Sequence, residues 1–177
     1  MQHINKNYFQ LFNLSESCEL DLNALAGAYR ELQSEVHPDR FANADEPEKL
    51  LAVQASSYIN EAYVTLKSPL KRAAYLLTLH QQDIEQVNQS DLSMDLLLEQ
   101  IQLRESLEEL PKDDSALAEL TRIKDEVSAK LALSHQNFAS KFENHNYDGA
   151  KKIYHELQFL YKLLAEIDSA EELRLAY

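Results

Sequence analysis

The chain reads Leu32-Gln33-Ser34-Glu35-Val36-His37-Pro38-Asp39-Arg40-Phe41 where one helical pattern stops and another has yet to begin. Upstream, Leu22, Leu25, Tyr29, Leu32 and Val36 recur at intervals of three and four, one face of a helix, with Asp21 placed to cap it. Pro38 cannot continue that helix, and its ring pushes His37 out of helical geometry. Residues 37–46 are polar and read as a loop. Pro47 suits the first turn of a new helix, with Glu46 and Glu48 matching the positive end of its dipole. That helix carries Leu50, Val53, Ala55, Ile59, Ala62, Tyr63 and Leu66 until Ser68-Pro69 breaks it, and a shorter one follows over about residues 70–79. A brief apolar segment, Tyr8 to Leu14, precedes them. The pattern is a helical hairpin with a proline-stiffened polar tip.

Composition extends this reading to the whole chain. Two glycines and four prolines in 177 residues compare with roughly 12% Gly plus Pro in an average protein. Sandwiches and barrels need those residues at their turns, so the expected fold class is all-α. The formal net charge is −13 and the pI about 4.8. No cluster of Lys and Arg is available to neutralise phosphates, which excludes nucleic acid and disfavours an anionic membrane surface. A basic protein partner is the natural expectation. One cysteine, Cys18, fits a reducing compartment. The start, MQHINKNYF, has no signal core, and no apolar run reaches the eighteen or so residues of a membrane span, so the expected location is the cytoplasm.

From His80 to Ser90 the chain turns polar, dividing it into an N-terminal domain of residues 1–80, a linker of 81–88 and a C-terminal domain of 89–177. Three helices are expected in the last part, over about 91–110, 115–142 and 147–175, joined at Pro111-Lys112-Asp113 and Asn144-His145-Asn146 as an antiparallel three-helix bundle. Charge is uneven: residues 1–80 hold 7 basic and 10 acidic side chains, and 81–177 hold 10 and 20.

The first helix of the bundle has two apolar faces. With Leu92 as origin, Leu96, Leu103, Leu107 and Leu110 fall within about 60°, while Met94, Leu97, Leu98 and Ile101 fall at about 140–240°. Glu105 and Glu108 share the second sector, and Gln102 and Glu109 border it. Such a helix is either sandwiched in a widened core or keeps one face for a partner. On the last helix, Ile153, Leu157, Leu160, Leu164 and Ile167 form a core stripe. Phe159 lies off it, as rim packing or as an interface anchor.

Taken alone, His37-Pro38-Asp39 also reads as a helix stop with a capping histidine and a turn aspartate. Its setting between two helices, the second ending in Ile59-Asn60-Glu61-Ala62-Tyr63-Val64-Thr65-Leu66, resembles a J-domain. With His37-Pro38-Asp39-Arg40-Phe41, Ser68-Pro69-Leu70-Lys71-Arg72-Ala73-Ala74-Tyr75-Leu76-Leu77 and Leu98-Glu99-Gln100-Ile101-Gln102-Leu103-Arg104-Glu105, almost the whole chain is similar to the HscB-type co-chaperones, of bacterial type without an N-terminal cysteine pair.

The resemblance implies a protein that is not itself an enzyme. It implies docking on an HscA-like, DnaK-class chaperone ATPase through His37, Pro38, Asp39, Arg40 and Arg30, and stimulation of ATP hydrolysis. It also implies binding of an IscU-like iron–sulfur scaffold through Leu97, Leu98, Ile101, Glu105, Glu109 and Phe159. Gln102 stands where the family has an acid, and Val36 where an aromatic usually precedes the histidine. The helix before the tip is usually basic, yet here Arg30 is set against Glu31 and Glu35, so steering toward an acidic ATPase is weak. The alternative is a general J-protein of DnaK with broader clients.

Other chemistry finds no pattern. Six histidines form no HExxH, with His145 and His155 expected at the surface, and no metal site is expected. Cys18 alone cannot hold an iron–sulfur cluster. Two glycines cannot build a phosphate-binding loop, no serine or cysteine is set beside a base, and neither a cofactor nor a catalytic residue is expected.

Overall fold

The computed structural model describes residues 6–85 and 94–175, without the side chains of Pro38, Asp95, Leu96, Leu97, Glu99 and Gln100. Seven α-helices and no strands occur among the described residues. They are α1 (Tyr8–Leu11), α2 (Leu22–Glu35), α3 (Glu46–Lys67), α4 (Pro69–Leu79), α5 (Met94–Glu109), α6 (Leu117–Glu143) and α7 (Tyr147–Leu175). The chain forms two compact units that divide between Leu76 and Leu77.

In the first unit the Asp21 cap acts as expected, and two further caps join it. Asp21 accepts from the N–H groups of Asn23 and Ala24, and Asp45 from that of Glu48. Asn7 and Gln10 form a reciprocal capping box on α1. The interior gathers Phe9, Leu25, Ile59, Ala62, Leu66 and Leu76, each fully buried. Leu50 and Val53 are not core residues: they are 59% and 60% exposed. The buried stripe of α3 is Ala52, Ala55, Ile59, Ala62 and Leu66, and Leu50 projects to its far side. Nor is the tip a plain loop, because Pro38–Phe41 wind into a 3-10 turn before α3 starts.

Three non-glycine residues supply the left-handed conformations at helix ends: Asn13 (φ 54°), Gln81 (φ 60°) and His145 (φ 56°). Each closes the same double hydrogen bond. After α6, for example, the His145 N–H donates to Phe142 O and the Asn146 N–H to Lys141 O. This is how α1, α4 and α6 end without a glycine.

The second unit holds the bundle of α5, α6 and α7. Its core joins Leu120, Ile123 and Val127 of α6 to Leu160, Leu163 and Ile167 of α7, with Leu103, Leu107 and Leu110 packed against them. Leu163, rather than Leu164 alone, carries the α7 core, because α7 packs against both α5 and α6 and buries a broad sector. His155 is buried, not at the surface. Its Nδ1 bonds Gln158 Oε1 at 3.0 Å, while Nε2 has no hydrogen-bond partner. Lys124 bridges α6 to Asp168 and Glu171 of α7 at 2.8 and 2.7 Å, and these bonds push its ammonium up from the ordinary lysine value. Linker residues 86–88 and the expected helix start at 91–93, Leu92 included, lie outside the described residues.

Candidate functional site

The tip of the α2–α3 hairpin is built from its own backbone outward. Val36 ends α2, and its N–H still bonds Leu32 O. His37 is extended (φ −58°, ψ 134°), and its Nδ1 accepts the Asp39 N–H at 3.3 Å. Nδ1 also lies 3.5 Å from Asp39 Oδ2, a contact that is attractive only if this nitrogen carries a proton. One lone pair cannot serve both purposes. With Nδ1 accepting the backbone N–H, the ring's own N–H is assigned to Nε2. The exposed turn thus presents an imidazole N–H donor and a carboxylate together.

Both side chains are free to meet a partner, His37 59% and Asp39 91% exposed. Arg40 reaches back to Ser34 O at 3.4 Å, bracing the turn against the negative end of α2. Arg30 is exposed on α2. Pro38 contributes its backbone to the turn, and its side chain lies outside the described ones.

Sequence reasoning missed what holds the hairpin beneath this tip. Gln33 Nε2 donates to Asn60 Oδ1 at 2.7 Å, Tyr29 OH donates to the same oxygen at 2.8 Å, and Ser56 Oγ donates to Gln33 Oε1 at 3.2 Å. Tyr29 and Tyr63 stack at 4.1 Å. The clue in the sequence was a polar Gln33 between the apolar positions Leu32 and Val36.

On α5 the two-faced pattern is present. Leu103, Leu107 and Leu110 pack on the core, while Met94, Leu98 and Ile101 stand exposed. Gln102, Glu105 and Glu109 are exposed as well. Leu97 lies in α5, but its side chain is outside the described ones. Phe159 is half-buried against the core of α7, and the Arg104 guanidinium covers its ring at 5.6 Å. Arg104 is held in place by Glu166 at 3.1 Å.

Residues 4–75 match the family model described as the DnaJ domain, and residues 92–168 the one described as the HSCB C-terminal oligomerisation domain. Over 166 residues the chain is 38% identical to the co-chaperone protein HscB homolog of Aeromonas salmonicida, covering 94% of this chain and 96% of that one. The chain belongs to the HscB co-chaperone family. A second HscB homolog, from Paraburkholderia phymatum, is 38% identical over 175 residues, covering 97% and 98%. The solved structure of chaperone HscB from Vibrio cholerae is similar at 36% identity and a TM-score of 0.85, over 94% of this chain and 98% of that one. The HscB-family assignment thus spans both the unit with the turn and the unit with the exposed α5 face. No helix among the described residues is long and apolar enough to cross a membrane.

Proposed function

We propose that this HscB-family chain binds an IscU-like iron–sulfur scaffold, brings it to an HscA-like chaperone of the DnaK class, and stimulates that chaperone's ATPase. The observation that carries this reading is the pairing of an exposed His37–Asp39 turn in one unit with an exposed, acid-flanked apolar sector on α5 in the other. Asp39 offers a carboxylate to a partner arginine, and His37 offers its Nε2–H to an acceptor. Leu97, Leu98 and Ile101, with Glu105, Glu109 and Phe159, supply the scaffold contacts, and the exposed acids suit a basic client. Holding both partners raises the scaffold's effective concentration at the ATPase.

The test is steady-state ATP turnover by the chaperone with and without scaffold. His37→Gln is expected to lose stimulation while keeping its scaffold affinity, as measured by calorimetric titration; unchanged stimulation sinks the reading of the turn. A titration without heat favours the general J-protein. A second reading of α5 follows from the family description of residues 92–168, which names oligomerisation. There the apolar sector meets a second copy, and sedimentation would show a dimer that Leu98→Ala/Ile101→Ala dissolves.

A further inference from the structure

We propose that the cleft at the C-terminal ends of α5 and α7 is a self-docking site, where a second copy of this chain seats its Leu173 across a two-fold axis. The proposal rests on the oligomer reading given above and moves it off the outer face of α5, leaving that face to the scaffold. The cleft has a volume of about 770 Å³, and Leu107, Leu110, Ala170 and Leu173 form its apolar lining. Leu107, Leu110 and Ala170 are half-buried, whereas Leu173 is 66% exposed. An apolar side chain in water thus stands beside an apolar hollow. A two-fold axis satisfies both at once, because each copy supplies the same projection and the same hollow.

The walls are fixed before a partner arrives. The buried Arg174 donates to Pro111 O at 2.8 Å and to Ala170 O at 2.9 Å, tying the end of α7 to the turn after α5. Asp113 is held in the same turn by the Ser115 N–H at 3.0 Å. Little ordering is therefore left to oppose association.

The rim charges identify the occupant. Glu108 and Lys112 both line the cleft and both are exposed, and neither side chain forms an ion pair or hydrogen bond among the described residues. Across a two-fold axis the Lys112 of each copy faces Glu108 of the other, so these open charges become two pairs. Such balance matters in a chain whose net charge of −13 sets most of its surface against a second copy. A partner of one charge sign would leave one of the two rim charges unmatched. Along α5, Leu107 lies about 14 Å beyond Leu98, so the cleft is set apart from the apolar part of the outer face.

The test is sedimentation of the full chain over a concentration series, with thermal melts as the folding control. One leucine per copy and two ion pairs make a small interface, so the parent is expected to dimerise weakly and more so as concentration rises. Leu173→Glu is expected to weaken the dimer about tenfold. Lys112→Glu and Glu108→Lys are each expected to weaken it about tenfold, by setting like charges face to face. General repulsion predicts the opposite sign for Glu108→Lys, which moves the net charge by two, from −13 to −11. An equimolar mixture of Lys112→Glu and Glu108→Lys is expected to recover the parent's association, because opposite charges then meet across the axis. A mixture that stays as weak as its components overturns the two-fold pairing. A dimer that none of these variants alters overturns the cleft proposal; if Leu98→Ala/Ile101→Ala dissolves it, the oligomer reading stands on the α5 face instead. A parent that stays monomeric throughout the series overturns both.

Discussion

The hairpin tip and the outer face of α5 are both exposed, yet they are constructed differently. At the tip, each group does something different: His37 Nδ1 accepts a backbone N–H, Arg40 holds a helix-end carbonyl, and Asp39 is left open. On α5, Met94, Leu98 and Ile101 share one property, apolar surface in water. A site of the first kind fails when one identity changes. A site of the second kind weakens in proportion to the area removed.

The sharpest way to break that contrast is on α5. Leu98→Ala/Ile101→Ala removes two side chains that are 51% and 53% exposed, so thermal stability should hold. Burying each on binding is worth about 1–1.5 kcal/mol, part of the full value for a buried aliphatic, which predicts scaffold affinity about 30–150-fold weaker. Calorimetric titration measures it. An unchanged affinity removes α5 from the client site.

Phe159 divides the proposed client surface itself. Its ring packs on the α7 core and lies under Arg104, so Phe159→Ala should destabilise the second unit by about 1–3 kcal/mol as well as weaken scaffold binding. Phe159→Leu keeps most of the packing and should recover most of that stability. Urea unfolding followed by circular dichroism separates these outcomes. Stability unchanged in Phe159→Ala would make the residue a pure interface anchor like Leu98.

These contrasts follow what the sequence could convey. His37-Pro38-Asp39 was legible because three residue identities and one helix break coincide, and the α5 face because a period of 3.6 exposes a second stripe. The cap residue Asp21 was legible for the same local reason, whereas the Asp45 cap was not read. Leu50 and Val53 misled because an apolar residue counts equally on either side of a helix until its neighbour is known. His155 misled because its burial comes from α7 packing, not from local polarity. The Gln33–Asn60–Tyr29 bonds were hidden, since they join residues about thirty positions apart.

Groups that respond to alkaline pH lie in both units, Tyr154 and Lys124 in the second and a cluster of three tyrosines in the first. Tyr8, Tyr58 and Tyr75 cluster in the first unit, with ring centroids of Tyr8 at 5.4 and 4.2 Å from the other two. Burial pushes all three phenols up from the ordinary tyrosine value, with Glu61 adding to the effect at Tyr8 and Tyr58. A folded-state pKa above the unfolded one gives stability that is complete below the unfolded value, about 10, and is lost as pH rises through the folded value. Raising pH from 9 to 11.5 should therefore lower the melting temperature of the parent. Tyr58→Phe, which cannot ionise, should flatten that loss, read by circular dichroism melts across the pH series. Equal slopes in the two proteins would exclude the cluster as the cause.

The smallest effect compares one glycine from each unit. Gly27 sits inside α2, and a methyl group there would meet nothing within 4 Å. Gly27→Ala should stabilise the first unit by about 0.5–1 kcal/mol, the ordinary helix preference of alanine over glycine. Gly149 lies in the first turn of α7, where its N–H donates to Asn146 Oδ1 at 2.9 Å. An added Cβ would stand 2.9 Å from the Asn146 side chain, so Gly149→Ala must displace that cap. Losing a cap costs about as much as the propensity gain, which leaves no net stabilisation. Urea unfolding of both variants decides the matter. An equal gain would mean that the Asn146 cap moves aside freely, while a gain at Gly27 alone places the slack in the hairpin and the constraint at the start of the bundle's last helix.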